Sequence, residues 1–355
     1  MGFYESGFTQ GTVGFGIRLN SGGGRTGTVL VPVGSDGEPE QSWNEAGGVV
    51  KLRWSNTVLK YGEQRFGNPM VGTGDARLLP ETATGFVFTS EEIDGLALDA
   101  GHFTAMNKFD STNSDEDLLI QYAGDVGNAI SWAGGFYTPT DNLTLGLYAA
   151  RVEDTWDRYY ANLGYTFDLG QQRSLNVDLN LNLYRTNDEG QRLAGDIDNT
   201  DSSVAGKYSA HALTLAFQQI DDDAGFDYIG FDGIYLANSV QYSDFNAPGE
   251  ESWQLRYDLD MAGYGVPGLT LMARYLRGSN IDSTGADPRG GFFDPDANDE
   301  KHWERNLEAH YVVQRGPAKD LSLRVRQSVH RGSSNQIDDD VDEVRLIVEY
   351  PLNIL

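Results

Sequence analysis

The chain lacks cysteine, long apolar runs and patterns typical of amphipathic helices. The absence of cysteine excludes disulfides, thiolate metal sites and cysteine nucleophiles. Because no stretch approaches about 18 apolar residues, the sequence predicts no transmembrane helix. No basic segment followed by an apolar core stands at the N-terminus, so no signal peptide is predicted.

Basic residues are scarce, since 26 Lys and Arg stand against 53 Asp and Glu, for a formal net charge of −27. This balance disfavours nucleic-acid binding, because affinity for phosphate backbones comes from Lys and Arg. Taken alone, the charge suggests a soluble protein or a cation binder. Only 39% of the 355 residues are apolar, yet the chain holds 18 Tyr, 16 Phe and 6 Trp. Disordered chains are poor in aromatic residues, so we expect a folded chain.

What the sequence does contain is a regular alternation of apolar and polar residues. In 175–183, Leu and Val alternate with Asn and Asp, and similar alternation recurs at 143–149, 159–167 and 253–259. Side chains of a strand alternate between the two faces of a sheet, so each segment has one apolar and one polar face. The pattern predicts seventeen strands, at 3–8, 12–19, 48–54, 57–64, 85–92, 97–104, 130–137, 143–153, 157–167, 174–185, 203–208, 212–220, 252–260, 269–277, 302–314, 321–331 and 342–350.

The connections between these strands alternate in length. Turns of at most eight residues alternate with mostly long loops such as 20–47 and 221–251, and 154–156 is the one short member of the second set. This alternation is typical of outer-membrane barrels, which have short periplasmic turns and long outer loops. We predict an all-β, transmembrane antiparallel β-barrel in a bacterial outer membrane, with residues 1–355 forming one domain. A soluble β-sandwich or propeller is the alternative, and it fits the loop lengths badly.

The number of strands carries a further expectation. In a seventeen-strand barrel the first and last strands would run in the same direction, so antiparallel closure fails. We therefore expect that one strand before residue 3 is missing. A parallel seam is the alternative, and it is rare in such barrels.

The acidic excess is concentrated in the predicted outer loops. Together these eight loops hold 34 acidic and 7 basic residues, which accounts for the whole net charge of −27. The predicted strands and short turns are therefore neutral in sum. We therefore expect side chains in the lumen, rather than the total charge of the chain, to determine the sign of charge of the transported solute.

Basic residues of the early and late strands share the polar phase and are predicted to face the lumen. Early and late strands become neighbours when a barrel closes, and middle strands present polar residues such as Asp178 and Asn180 across from them. Such a transverse field suits small anions or zwitterions. The alternative is a merely solvated interior, in which Glu308, Glu343 and Glu349 pair some of the charges. We call the following set the basic wall: Lys51, Arg53, Lys60, Arg274, Arg324, Arg326 and Arg345.

Residues 68–82 read Asn-Pro-Met-Val-Gly-Thr-Gly-Asp-Ala-Arg-Leu-Leu-Pro-Glu-Thr. This segment resembles the third loop of the OprD-type substrate-specific porins, the Occ channels. Residues 252–258, Ser-Trp-Gln-Leu-Arg-Tyr-Asp, are similar to a family segment, as are 267–275 and the C-terminal stretch 342–352. The resemblance covers nearly the whole chain, and residues near the third loop favour the OpdK-like aromatic-acid branch over the basic-amino-acid branch.

The resemblance implies an eighteen-stranded barrel in which loops 65–84 and 221–251 fold inward and narrow the pore. It implies that Arg77 of the third loop joins Arg324, Arg326 and Arg345 in a basic ladder that guides carboxylates. The facing electronegative side is expected to be formed by Asp75, Ser239 and Asp244.

The predicted function is passive, substrate-selective uptake of small carboxylate-containing solutes, with benzoate-like aromatic acids favoured. A basic-amino-acid channel of the same family and a general diffusion porin are the alternatives. Lipopolysaccharide is a further expected partner, bridged by divalent cations at the acidic loops, and we expect a monomer or loose trimer.

No enzyme, cofactor or resident metal is predicted. The five histidines accompany no G-x-S-x-G or H-E-x-x-H motif. Residues 294–298 resemble the start of a calcium loop, but Asp299 stands where that loop requires glycine.

Overall fold

The structure, a computed structural model, describes residues 47–74, 80–109, 111, 113–123, 125–186, 196–221, 223–230 and 234–351. Within them no helix has the length and apolar character needed to cross a bilayer. The strands are β1 (Val49–Trp54), β2 (Thr57–Gln64), β3 (Thr82–Ile93), β4 (Leu96–Asn107), β5 (Leu118–Ile120), β6 (Asp125–Gly127), β7 (Ile130–Thr140), β8 (Leu143–Val152), β9 (Trp156–Gly170), β10 (Arg173–Thr186), β11 (Ile197–Tyr208), β12 (His211–Ile220), β13 (Glu251–Asp260), β14 (Leu269–Asp282), β15 (Asn298–Val312), β16 (Ser322–Gly332) and β17 (Val341–Glu349).

Fifteen of these strands form one antiparallel sheet in chain order, from β1 to β17, and β5 and β6 form a separate hairpin. Each of the fifteen matches a predicted strand, and the predicted strands 3–8 and 12–19 lie outside the described residues. At one edge the connections are short, as at 55–56 and 171–172, and at the other most are long, as at 221–250. The chain therefore has the predicted fold, a transmembrane antiparallel β-barrel.

The two faces of the strands differ as a lipid-facing wall requires. On β17, Val344 and Leu346 are 71% and 69% exposed and alternate with charged residues. On β8, Leu147 is 70% exposed while its neighbour Tyr148 is 2% exposed. Apolar side chains exposed at every second position form the band that contacts the hydrocarbon, and their neighbours point into the lumen.

Aromatic side chains lie on the outward face near the strand ends. The Trp253 and Tyr275 rings are 5.6 Å apart, and the Tyr275 and Trp303 rings are 5.9 Å apart, towards the long-loop edge. Trp54, beside the turn 55–56, lies 6.3 Å from Phe88 at the opposite edge. These groups match the aromatic girdles that outer-membrane barrels place at both membrane interfaces.

The structure corrects several predicted boundaries. β3 and β11 begin at Thr82 and Ile197, earlier than predicted, and β15 begins at Asn298. Asp198 and Asp201, counted as loop residues, therefore lie on a strand. These strand ends carry polar residues on both faces, so the apolar alternation that marks the membrane-facing part is missing there. The β5–β6 hairpin lies within the predicted loop 105–129, and a 3-10 turn, Met261–Tyr264, interrupts the predicted turn 261–268.

Candidate functional site in the barrel lumen

Four residues of the basic wall lie close together on β14, β16 and β17. Arg326 and Arg345 are direct cross-strand partners, and Arg324 is the next inward-facing residue on β16. On the far side of β15, Arg274 Nε donates to Asn306 Oδ1 at 2.9 Å. Since alternate apolar residues of these strands face lipid, the pleat directs all four guanidinium groups into the lumen.

Two glutamates partly neutralise this group. Glu308 Oε1 lies 3.7 Å from Arg324 Nε, and Glu308 Oε2 accepts a hydrogen bond from Arg326 Nε. Glu343 Oε1 lies 2.6 Å from Arg345 Nε. Part of the charge pairing expected for a merely solvated interior is therefore present. Two carboxylates are nevertheless shared by three guanidinium groups, so these five residues keep one excess positive charge.

Arg324 keeps a donor that is unpaired within the described part of the chain. Its Nε is buried and has no hydrogen-bond partner among the described residues. The 3.7 Å separation from Glu308 Oε1 exceeds hydrogen-bonding distance. Buried donors almost always find a partner in protein, water or ligand, and a carboxylate forms strong, often bidentate contacts with a guanidinium group.

The remaining members of the basic wall lie at the other end of the described sheet. Lys51 of β1 and Lys60 of β2 are direct cross-strand partners. Arg53 Nε donates to the carbonyl oxygen of Ser55 at 3.2 Å. Lys51 and Arg53 alternate with the exposed Val50, Leu52 and Trp54, so their predicted inward phase agrees with the pleat.

Loop 221–250 is held against the same part of the barrel as Arg324, Arg326 and Arg345. Gln241 Nε2 donates to Glu343 Oε1 at 2.9 Å. The backbone N–H groups of Tyr242 and Ser243 donate to the two oxygens of Glu304, at 3.2 and 2.9 Å. Glu343 therefore joins Arg345 on the wall to a glutamine of the loop, and it fixes the loop beside the arginines.

Within this loop, the predicted electronegative residues Ser239 and Asp244 contact each other. Ser239 Oγ donates to Asp244 Oδ1 at 2.7 Å, and the hydroxyls of Tyr122 and Tyr228 donate to Asp244 Oδ2 at 2.9 and 2.8 Å. Burial raises the pKa of the Asp244 carboxyl, and these hydrogen bonds oppose that rise. Because Asp244 already accepts three hydroxyls, it orders the loop as well as adding a negative field.

Asp227 joins loop 221–250 to the segment that carries the β5–β6 hairpin. Its carboxylate accepts the backbone N–H groups of Tyr122, Ala123 and Tyr228 at 2.7 to 2.9 Å. Burial raises the pKa of Asp227 to about 6, and the three N–H donors oppose the rise. Two loops that are far apart in sequence are thus held together by one buried carboxylate.

Loop 65–81 is anchored on the barrel wall by two buried polar residues. Asn68 Nδ2 donates to Asp99 Oδ1 of β4 at 2.7 Å. Arg158 of β9 donates from Nη1 to the carbonyl oxygen of Met70 at 2.5 Å, and from Nη2 to the Tyr184 hydroxyl. Asp99 and Arg158 both occupy inward-facing positions on their strands, so residues 68–70 lie on the lumen side of the sheet.

The sequence prediction missed Arg158, Asp99 and Arg256. Arg158 is fully buried. The sequence could have revealed its inward orientation, because it alternates with the outward-facing residues of the predicted strand 157–167. Arg256 is the cross-strand partner of Arg274 and pairs with Asp258 at 2.8 Å. The predicted residues Asp75 and Arg77 lie outside the described residues.

Comparison with known proteins agrees with this geometry. Residues 1–354 match the family described as outer membrane porin, OprD family. The chain is 50% identical to Porin D of Pseudomonas aeruginosa, over 99% of this chain and 84% of the relative. It is 33% identical to the porin-like protein GalP of Pseudomonas putida, with the same two coverages.

Solved structures of Pseudomonas aeruginosa channels show the same architecture. The improved crystal structure of OprD has a TM-score of 0.79 at 49% identity, over 89% of this chain and 81% of that one. The OccK9 (OpdG) structure has a TM-score of 0.83 at 32% identity, over 94% and 83% of the two chains. The family, the fold and the relatives are those of channels rather than enzymes, and the chain belongs to the OprD family of outer-membrane porins.

Proposed function

We propose that this OprD-family channel takes up small carboxylate-bearing solutes by passive, substrate-selective diffusion. The observation that carries the proposal is the group of Arg324, Arg326 and Arg345, whose three guanidinium groups share only two carboxylates among the described residues. A solute carboxylate can accept from Arg324 and then from its neighbours. Because Glu308 and Glu343 compete for the same guanidinium groups, each contact is weak enough to release the solute.

The proposal includes the organisation of the pore. In it, residues 1–355 form one barrel domain, and loops 65–84 and 221–251 narrow the lumen. The contacts of Asn68 and Gln241 with the barrel wall support this arrangement. The proposal also places Arg77 at the constriction and Asp75 opposite it. It further includes a contribution from Lys51, Arg53 and Lys60.

Two solute classes fit a carboxylate site, and different observations favour them. Benzoate-like acids are favoured by the third-loop residues 68–82, which resemble those of the aromatic-acid branch. Basic amino acids are favoured by the acidic side chains of β10 and β11, where Asn180 Nδ2 lies between Asp178 and Asp201 at 2.7 and 2.8 Å.

Liposome swelling tests the proposal directly. Proteoliposomes would be exposed to benzoate, lysine, and a neutral sugar of similar size, each at matched osmolarity. We expect benzoate or lysine, or both, to enter faster than the sugar, because the arginines bind the carboxylate. Equal rates for all three would indicate a general diffusion porin, and the ratio of benzoate to lysine distinguishes the two solute classes.

Glu308→Gln is expected to strengthen carboxylate selection. The substitution keeps the side chain's size but removes the charge shared by Arg324 and Arg326, so the local net charge rises by one. We expect the reversal potential in a KCl gradient to shift towards anions. Glu349→Gln, an exposed change on β17, is the matched control and is expected to cause a smaller shift. Equal shifts for both variants would contradict the special position of Glu308.

A further inference from the structure

A buried histidine pair lies beside loop 221–250, away from the arginines. His302 of β15 and His330 of β16 are 2% and 0% exposed, and His302 Nδ1 lies 2.8 Å from His330 Nε2. Asp338, in the loop after β16, completes the group, since one ligand atom from each residue lies within 4.8 Å of the other two. Nitrogen and carboxylate donors in this number are typical of zinc sites.

The outer hydrogen bonds of the two rings decide what lies between them. His330 Nδ1 is 2.8 Å from the carbonyl oxygen of Asp339, which can only accept, so the proton of His330 is on Nδ1. His302 Nε2 is 2.7 Å from Glu250 Oε1, a carboxylate acceptor, so the first proton of His302 is on Nε2. In the neutral rings, the two facing nitrogens would then present lone pairs to each other.

Two lone pairs facing each other at 2.8 Å repel, so either a proton or a metal ion must lie between the two nitrogens. We propose that the group is a site for a divalent transition-metal ion of the Zn²⁺ type, bound by His302 Nδ1, His330 Nε2 and a carboxylate oxygen of Asp338. Glu250 and the Asp339 carbonyl then act as the outer hydrogen-bond acceptors that metal-bound histidines usually have.

The surroundings favour a cation and allow the small shift that binding needs. Two nitrogens bound to tetrahedral zinc lie about 3.3 Å apart, so the rings need to separate by only about half an ångström. Glu304 adds a further carboxylate nearby, held by the backbone N–H of Ser243 at 2.9 Å. A Cβ on Gly278 would approach Glu250 Oε1 to 2.0 Å, so this glycine makes room for the Glu250–His302 pair.

A bound ion would tie the inward loop to the barrel. Phe245 of loop 221–250 packs on His302 with ring centroids 4.2 Å apart, and Ser243 Oγ donates to Asp338 at 2.5 Å. The site therefore lies where β15, β16 and two loops meet. Hard cations such as Ca²⁺ prefer all-oxygen ligands, so selectivity for Zn²⁺ or Co²⁺ is expected.

The test is metal binding by the full chain in detergent after treatment with a chelator. Calorimetry with Zn²⁺ in excess Mg²⁺ is expected to show one saturable site, and Co²⁺ is expected to give the visible bands of tetrahedral coordination. His330→Asn should abolish the bands, and Glu250→Gln should weaken binding by about 10- to 100-fold. The matched control, His102→Asn, changes a half-buried histidine on β4 and should leave both signals unchanged.

Two outcomes would overturn the site. If the wild-type chain shows no saturable Zn²⁺ binding in excess Mg²⁺, the charge between the rings is a proton. If Zn²⁺ binds equally to the wild type and to His330→Asn, the ion is held by the acidic loops instead. Circular dichroism of each variant confirms that the barrel is intact, so a loss of binding is not a failure to fold.

Discussion

Replacing Arg158 with methionine is expected to open the channel and to lower the free energy of unfolding by about 3 kcal/mol. Methionine has a similar volume, but it is shorter and cannot donate, so the Met70 carbonyl oxygen and the Tyr184 hydroxyl lose their partner. A buried polar group without a partner costs about 1–3 kcal/mol, and here two such groups are created. Single-channel conductance should rise, because loop 65–81 loses an anchor on the wall.

The position of Arg158 explains why one residue has this effect. Its guanidinium carbon lies 4.2 Å from the centre of the Tyr184 ring, and that ring is 5.3 Å from Phe226 of loop 221–250. Arg158 thus contacts loop 65–81 directly and supports a ring that packs against loop 221–250. Loss of the cation on the aromatic face removes a further favourable contact.

Arg151→Met is the matched control for this prediction. Arg151 is on the adjacent strand, β8, where its Nε pairs with Asp157 at 2.7 Å and its side chain is 67% exposed. Exposed pairs contribute little to stability, so neither conductance nor urea unfolding should change much. If the two variants behave alike in both measurements, Arg158 does not hold the loop in place.

The strands were predictable because a barrel wall imposes a strict local rule. Each membrane-spanning strand needs apolar residues at every second position, and residues such as Leu179 and Leu181 record that rule in the sequence. The same rule gave the inward phase of Arg324 and Arg326. It fails at residues 197–202, the first part of β11, where the strand continues beyond the lipid and the apolar alternation stops.

Contacts between loops and wall were not predictable, because they join residues that are far apart in sequence. Arg158 was visible as an inward-facing residue, but nothing in the sequence indicated that its partner is the carbonyl oxygen of Met70. Likewise, His302 and His330 show no metal-site spacing, and they meet only because β15 and β16 are neighbours. Backbone partners and cross-strand pairs depend on register, which alternation alone does not set.

The double change Arg324→Gln and Arg326→Gln is expected to reduce carboxylate uptake by about tenfold and to shift ion selectivity towards cations. Glutamine keeps hydrogen-bonding capacity but removes both charges. A hydrogen bond to a charged group contributes about 1.5–3 kcal/mol, so weakening one such contact is enough for a tenfold loss. Glu308 then keeps its negative charge without a guanidinium partner, which adds repulsion for an anion.

The matched control is Arg277→Gln combined with Arg305→Gln. It also removes two positive charges, but from the outward face of β14 and β15. Arg277 is the cross-strand partner of Trp253 and Trp303, whose rings lie on the outward side of the sheet. Arg305 is the partner of Tyr275 on the same side. This control separates a loss of lumen charge from a change in total charge, so it should leave benzoate uptake and the reversal potential unchanged.

The comparison of these two double variants decides whether the lumen or the whole chain sets selectivity. Both variants lower the total charge from −27 by the same amount. If selectivity followed net charge, the two would shift the reversal potential equally. If the arginines of β16 act on the solute directly, only Arg324→Gln/Arg326→Gln should slow benzoate or lysine while leaving the neutral sugar unaffected. Unchanged carboxylate uptake and ion selectivity in that variant would exclude Arg324 and Arg326 as the carboxylate site.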